Sequence, residues 1–234
     1  MLFNWRDRRT WKPLIRLAGL PPARRRNGVL AALRREYSGL RAFHGTRTSD
    51  VSSFYRNGLL LADNRKLANQ ARELLRPFAS DDLGLESAIS KAYAGSTTDE
   101  GRAYVALDAT LLINSAGHYL IYGSEFVIAA AVELGGEFGD LKPQLCEIGR
   151  PTVFRIALSP ELVRPCFWHE LARAVSEELD SVCDGNAPSE LDFTIILHKV
   201  VPPNAILSHW HPTRIRDPLR KDLVYKYDEA NHPQ

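Results

Sequence analysis

The chain has 234 residues, 44% hydrophobic and 25% charged, which suits one medium domain with its own core and excludes disordered, collagen-like and coiled-coil chains. Its formal net charge of +2 hides an asymmetry: residues 1–36 carry ten Arg or Lys against Asp7 and Glu36, a local +8 that leaves −6 for residues 37–234. The 3 cysteines are too scattered for a disulfide framework or a Cys-x-x-Cys knuckle, so a cytoplasmic setting is expected, and no apolar run approaches the about 18 residues of a membrane span.

In chain order, residues 5–35 read as two short basic helices broken at Pro21-Pro22, with Leu14, Leu17, Leu30 and Leu33 as their apolar face. Such a basic arm, residues 1–36 with Arg24, Arg25 and Arg26 at its centre, implies contact with a polyanion, nucleic acid first. A solvated Arg-rich surface is the alternative. Residues 40–43 read as a strand entering a His44-Gly45-Thr46 turn, and Ser49-Asp50 caps a helix over Val51–Asn57 that stops at Gly58. Leu67, Ala71, Leu74, Leu75 and Phe78 share one face of the next helix. Residues 95–101 form a polar loop.

Residues 103–107 read as a strand, and residues 124–134 as a buried helix ending at Gly135-Gly136. A strand over 152–158 leads to Ser159-Pro160-Glu161, which has the form of a helix start. A helix over 170–181 buries Leu171, Val175 and Leu179, and a strand over 193–197 must end before Pro202-Pro203. The strands are too few and too irregular for a doubly wound parallel sheet, so the class is α+β. His209-Trp210-His211 has no acidic or Cys ligand nearby and reads as a surface loop, so no metal is expected. Neither a phosphate-cradling P-loop nor a G-x-G-x-x-G turn is present.

Three segments occur in an informative order. The first is Phe43-His44-Gly45-Thr46, followed by a short helix and Gly58-Leu59-Leu60; the second is the strand of Gly101-Arg102-Ala103-Tyr104; the third is Ser189-Glu190 running through residues 193–197 into Pro202-Pro203. Together they resemble the ADP-ribosyltransferase superfamily, in the His-Tyr-Glu branch that includes the poly(ADP-ribose) polymerases and diphtheria-toxin-like enzymes. The resemblance spans residues 40 to 206. It implies split antiparallel β-sheets flanked by helices over residues 37–234, with NAD as substrate.

By the resemblance, His44 hydrogen-bonds the adenosine ribose, Gly45 binds the nicotinamide carboxamide through its backbone, Thr46 beside it also contacts NAD, and Tyr104 stacks on the nicotinamide ring. Glu190 stabilises the oxocarbenium-like ribosyl centre left when nicotinamide departs. A serine and a second stacking tyrosine come from Tyr122 and Ser124 or, alternatively, from Ser115 and Tyr119; the first pair is favoured because a serine at a helix start sits among free amides. Glu125, beside Ser124, rivals Glu190. The 60-residue interval between His44 and Tyr104 implies helices inserted over the donor site. Relatives include bacterial toxins and anti-phage effectors, some held inactive by an inhibitory protein partner. The structural alternatives are a core tyrosine at 104 and a solvated strand-edge acid at 190. At the level of function, the alternative is a non-catalytic module of the same fold that binds NAD, ADP-ribose or RNA.

Overall fold

The computed structural model describes residues 1–95, 100–136, 140–221 and 223–228. It is an α+β fold built on a six-stranded sheet: β1 (Leu2–Phe3), β2 (Gly39–Thr48), β3 (Ala103–Ala106), β4 (Arg150–Leu158), β5 (Thr194–Leu197) and β6 (Ile206–Trp210). The order is β5-β3-β2-β4-β6, antiparallel throughout, with β1 joining β2 in parallel. A separate hairpin pairs β7 (Arg214–Asp217) with β8 (Leu223–Lys226).

Side chains alternate across the sheet, and the two faces carry two cores. On one, Leu40, Ala42, Phe154 and Ile156 meet Val29 and Leu33 of α2 (Pro22–Glu36) and Leu171, Val175 and Leu179 of a long helix over Pro165–Cys183. On the other, Phe43, Ala106 and Val153 meet the helices Asn64–Leu75, Asp82–Gly95 and Glu125–Gly135. In chain order these helices are α4, α5, α8 and, for the long one, α10, with α1 at Lys12–Ile15, α3 at Val51–Asn57, α6 at Ala109–Asn114, α7 at His118–Ile121 and α9 at Lys142–Leu145.

Residues 1–36 are not a separate arm. Leu2–Phe3 adds a strand to β2, and Phe3, Trp5, Trp11, Leu14, Val29 and Leu33 are part of the core. Several of the cations that set the local charge are also spent internally. Arg6 pairs with Asp108 at 2.6 Å, and Arg8 donates to the carbonyls of Gly185 (2.6 Å) and Val182 (3.1 Å) at the end of α10. Arg25 turns inward to Asp180 at 2.8 Å and to the Ala18 carbonyl, whereas Arg24 and Arg26 stay exposed. A charge count sees the guanidinium but not the carbonyls it satisfies.

Several boundaries move. His44-Gly45-Thr46 lies inside β2 rather than in a turn, because β2 pairs with β4 from Leu40 to Thr48. The helix placed over 67–78 begins at Asn64, where the Asp63 carboxylate accepts from the amides of Arg65 and Lys66, and finishes as a 3₁₀ turn over Arg76–Phe78. Ser159-Pro160-Glu161 starts only a 3₁₀ turn, Pro160–Leu162, and the long helix starts at Pro165. His209-Trp210 belongs to β6, not to a loop. Part of the polar loop over 95–101 lies outside the described residues.

Candidate functional site

β2 is paired with β4 along one edge, but along its other edge it meets β3 only at Phe43–Ala106. Beyond that pair, residues 44–48 diverge from β3, and a cavity of about 560 Å³ occupies the opening. That volume is within the range of small-molecule sites, roughly 300–1,000 Å³.

From β2 come His44, Gly45 and Thr46; from β3 comes Tyr104; and the start of α8 supplies Ser124 and Glu125. His44 Nδ1 lies 2.9 Å from the Tyr104 carbonyl oxygen. A carbonyl only accepts, so Nδ1 carries the proton and Nε2 is left as an acceptor. Burial lowers the His44 pKa, with the bond to Tyr104 acting the other way, so the imidazole is neutral at neutral pH. A Cβ at Gly45 would lie 3.3 Å from Leu120 Cδ2 and 3.4 Å from Leu112 Cδ1, close enough that these leucine side chains would have to give by a few tenths of an ångström.

The rim opposite is tied down twice. Leu59 and Val201 exchange backbone hydrogen bonds of 3.0 and 3.1 Å, and Ala62 bonds the backbone of Arg102 (2.7 Å) and of Gly101 (2.9 Å). The first turns of α4 and α8 both border the cavity, bringing two positive helix ends to it. Ser124 is the N-cap of α8, its Oγ accepting from the Val127 amide at 3.3 Å. Among the wall residues are two cations, Lys66 and Arg102, and two acids, Asp63 and Glu125. Asp63 caps α4 and lies 3.9 Å from Lys66. Half-buried Arg102 has no carboxylate within ion-pair distance among the described residues. Glu125 Oε1 accepts from the Tyr119 hydroxyl at 2.6 Å and lies 3.8 Å from His118 Nε2. Burial lowers the His118 pKa, and Glu125 acts against that shift.

Of the residues singled out in the sequence, His44, Gly45, Thr46, Tyr104 and Ser124 meet at this cavity, with Glu125 and Tyr119 among them. Tyr122 and Glu190 do not line it. Tyr122, the C-cap of α7, is buried, its hydroxyl donating to Asp217, and burial raises its pKa. Gly123 separates it from Ser124 with a positive φ of 98°, which turns the two side chains apart.

Glu190 is exposed in the segment before β5. That segment is held away from the opening: Trp5 Nε1 donates to the Ser189 carbonyl at 2.8 Å, Arg6 to the Pro188 carbonyl at 2.6 Å, and the Leu191 amide to Asp108 at 3.2 Å. From this strand it is Thr194, paired with Ala106, that reaches the cavity. The signal for Thr194 was the strand itself, since its first residue, not one four positions earlier, faces across to β3. Lys66, Gln70 and Arg102 had no sequence signal of their own. No family model matches the chain, and no curated protein or solved structure matches it.

Proposed function

We propose that the chain is a NAD-dependent ADP-ribosyltransferase with a split-sheet fold of that superfamily, binding NAD in the cavity beside β2 and β3. The observation that carries the reading is the meeting there of His44 and Gly45 on one strand, Tyr104 on the next, and Ser124 and Glu125 at a helix start. In this reading the neutral imidazole of His44 accepts from a ribose hydroxyl through Nε2. The Tyr104 ring supplies a stacking face, and Arg102 with the two helix ends holds the diphosphate.

Of the two acids in the cavity wall, Asp63 caps α4, so in this reading the catalytic carboxylate is Glu125 rather than Glu190, held by the Tyr119 hydroxyl. As the bond between ribose C1′ and nicotinamide nitrogen breaks, nicotinamide leaves with the bonding electrons and positive charge grows on the ribose. A fixed carboxylate stabilises that charge; the acceptor nucleophile then bonds C1′ and loses its proton. The acceptor is a macromolecule, nucleic acid or protein.

Nicotinamide release from labelled NAD, with RNA, DNA and protein offered as acceptors, tests this. Glu125→Gln is expected to abolish turnover while NAD affinity stays within a few-fold, and Glu190→Gln to leave turnover intact. The reverse pattern returns the catalytic role to Glu190. A second reading, a module that binds NAD or ADP-ribose without reaction, is favoured by the position of Glu190 outside the cavity. NAD binding with no nicotinamide release under any condition selects it, and the absence of both binding and release removes both readings.

A further inference from the structure

Two histidines at the β6 edge of the sheet have no part in the cavity. His209-Trp210-His211 lies along β4, as strand and strand end rather than as a loop, so His209 and His211 point to one face. Their rings come together, with centres 5.4 Å apart and planes at 62°. His209 is exposed and His211 half-buried. The α3 helix stands between them and the cavity: Ser53, Phe54 and Asn57 line the cavity, while Tyr55 turns to His209.

Each ring engages the protein through Nδ1. His211 Nδ1 lies 2.9 Å from the Pro151 carbonyl oxygen, which only accepts, so Nδ1 carries the proton and Nε2 keeps a lone pair. Thr152 Oγ1 stands 3.3 Å from the same nitrogen. His209 Nδ1 lies 2.8 Å from the Tyr55 hydroxyl, whose oxygen accepts as well as donates, so the same tautomer is open to it. Burial, and after it the neighbouring His211, lowers the His209 pKa and keeps that ring neutral at neutral pH. Neither Nε2 has a protein partner among the described residues, and that of His211 is not shielded from water. An imidazole whose Nδ1 donates to the protein and whose Nε2 keeps its lone pair is in the form that ligates metal ions.

Two imidazoles that share a metal ion through Nε2, at about 2.0–2.1 Å and a tetrahedral angle, have ring centres roughly 5 Å apart. The separation of 5.4 Å is close to that spacing. We propose that His209 and His211 form a two-histidine site for a divalent late transition-metal ion, Zn²⁺ or Ni²⁺, at the β6 edge of the sheet. Among the described residues no third His, Cys, Asp or Glu completes the set, so water fills the remaining positions. Imidazole nitrogens without a carboxylate suit these ions and not Mg²⁺ or Ca²⁺, which take oxygen ligands. The site does not depend on what the cavity binds.

The test titrates the full chain, without a histidine tag and stripped with EDTA, with Ni²⁺ in a calorimeter. The rise in melting temperature that a native-state ligand produces is a second readout. One ion per chain is expected. His209→Gln and His211→Gln each leave a single imidazole and should weaken binding roughly 100-fold or more, whereas Tyr55→Phe, which removes only the partner of His209 Nδ1, should weaken it roughly 10-fold. His169→Gln, at an exposed histidine of α10, should leave it unchanged. In the unsubstituted chain with isotope-labelled histidine, Zn²⁺ should shift the Nε2 resonances of His209 and His211 together, a readout that serves if a glutamine variant fails to fold. Ni²⁺ binding lost in both histidine variants supports the site, as does the joint Zn²⁺ shift. No Ni²⁺ binding, binding that survives both substitutions, or Zn²⁺ shifts confined to other histidines overturns it.

Discussion

His44 Nδ1 donates to the Tyr104 carbonyl at 2.9 Å, two residues joined across the point where the β2–β3 ladder stops. The imidazole takes over where the backbone pairing gives out and holds the mouth of the cavity at a fixed width. Burial lowers the pKa of this ring, and burial is also the main cause of the lowered values of His118 and His209. An unfolded histidine binds its proton at a higher pH than these folded ones do. Stability is therefore fully present above the ordinary histidine value of about 6.5 and falls as the pH drops below it. Melting temperature measured from about pH 7.5 down to about pH 5 is expected to decline, and His44→Asn to flatten part of the slope. An identical slope in single variants at all three histidines would assign the decline to carboxylates.

Arg102 is the test of what the cavity holds. A half-buried guanidinium without a carboxylate partner among the described residues is suited to an anionic ligand. On the proposed NAD reading, Arg102→Ala is expected to weaken ADP-ribose binding roughly 10- to 100-fold and to leave nicotinamide binding unchanged, because only the former carries phosphate. Calorimetric titration of both ligands reads the difference. Equal losses for the two would mean that the substitution deformed the cavity rather than removing a phosphate contact.

Gly58 governs the opposite rim. It follows α3 with φ 76° and ψ −167°, a region that side-chain-bearing residues avoid, and a Cβ there would lie 1.9 Å from the Val201 carbonyl oxygen. That same carbonyl accepts from the Leu59 amide and ties the rim to the rest of the domain. Gly58→Ala is expected to cost at least about 1–3 kcal/mol in urea unfolding. It should also raise amide exchange at Leu59 and Val201 ahead of the rest of the sheet. Exchange that changes nowhere locally would place the strain elsewhere.

How far the sequence reveals this architecture depends on the range of the interaction. The α3 helix is legible to the residue because its signals, an Asp50 cap that accepts from Ser53 and a glycine stop, are all local. Ser124 as the cap of α8 is legible for the same reason. The extension of β2 through His44-Gly45-Thr46 is not, since it depends on a partner strand about a hundred residues away. Tyr122 and Ser124, two positions apart, read as one site; the positive φ of Gly123 sends them to different sides. Glu190 stands in a segment whose position is decided by Trp5, Arg6 and Asp108, none of them near it in sequence. The dense positive charge of residues 1–36 likewise suggests an arm, although the apolar residues between the cations form one wall of the core.

The pair that fastens this N-terminal segment gives the last prediction. Asp108 is fully buried and accepts from Arg6 Nε at 2.8 Å, from the Thr110 amide at 3.0 Å and from the Leu191 amide at 3.2 Å. Burial pushes its carboxyl pKa up, but Arg6 and the Thr110 and Leu191 donors together outweigh it, and the net shift is downward. Asp108→Asn removes the charge and leaves Arg6 facing a neutral amide. Because the Arg6 side chain is 35% exposed, water takes back part of the loss, and the expected cost is about 2–3 kcal/mol rather than the larger value of a fully buried pair. Arg6→Ala is expected to cost at least as much, since it leaves the fully buried Asp108 carboxylate with only its two amide donors and also removes the bond to the Pro188 carbonyl. Removal of residues 1–11 is the stronger form of the test. It strips Phe3, Trp5 and Trp11 from the core together with the bonds to Pro188, Ser189 and Asp108. Cooperative unfolding should disappear, as it would not for an independent tail. A truncated chain that melts in one sharp transition near the full-length temperature would show that the segment only lies on the domain, and that the ion pair fastens nothing the fold needs.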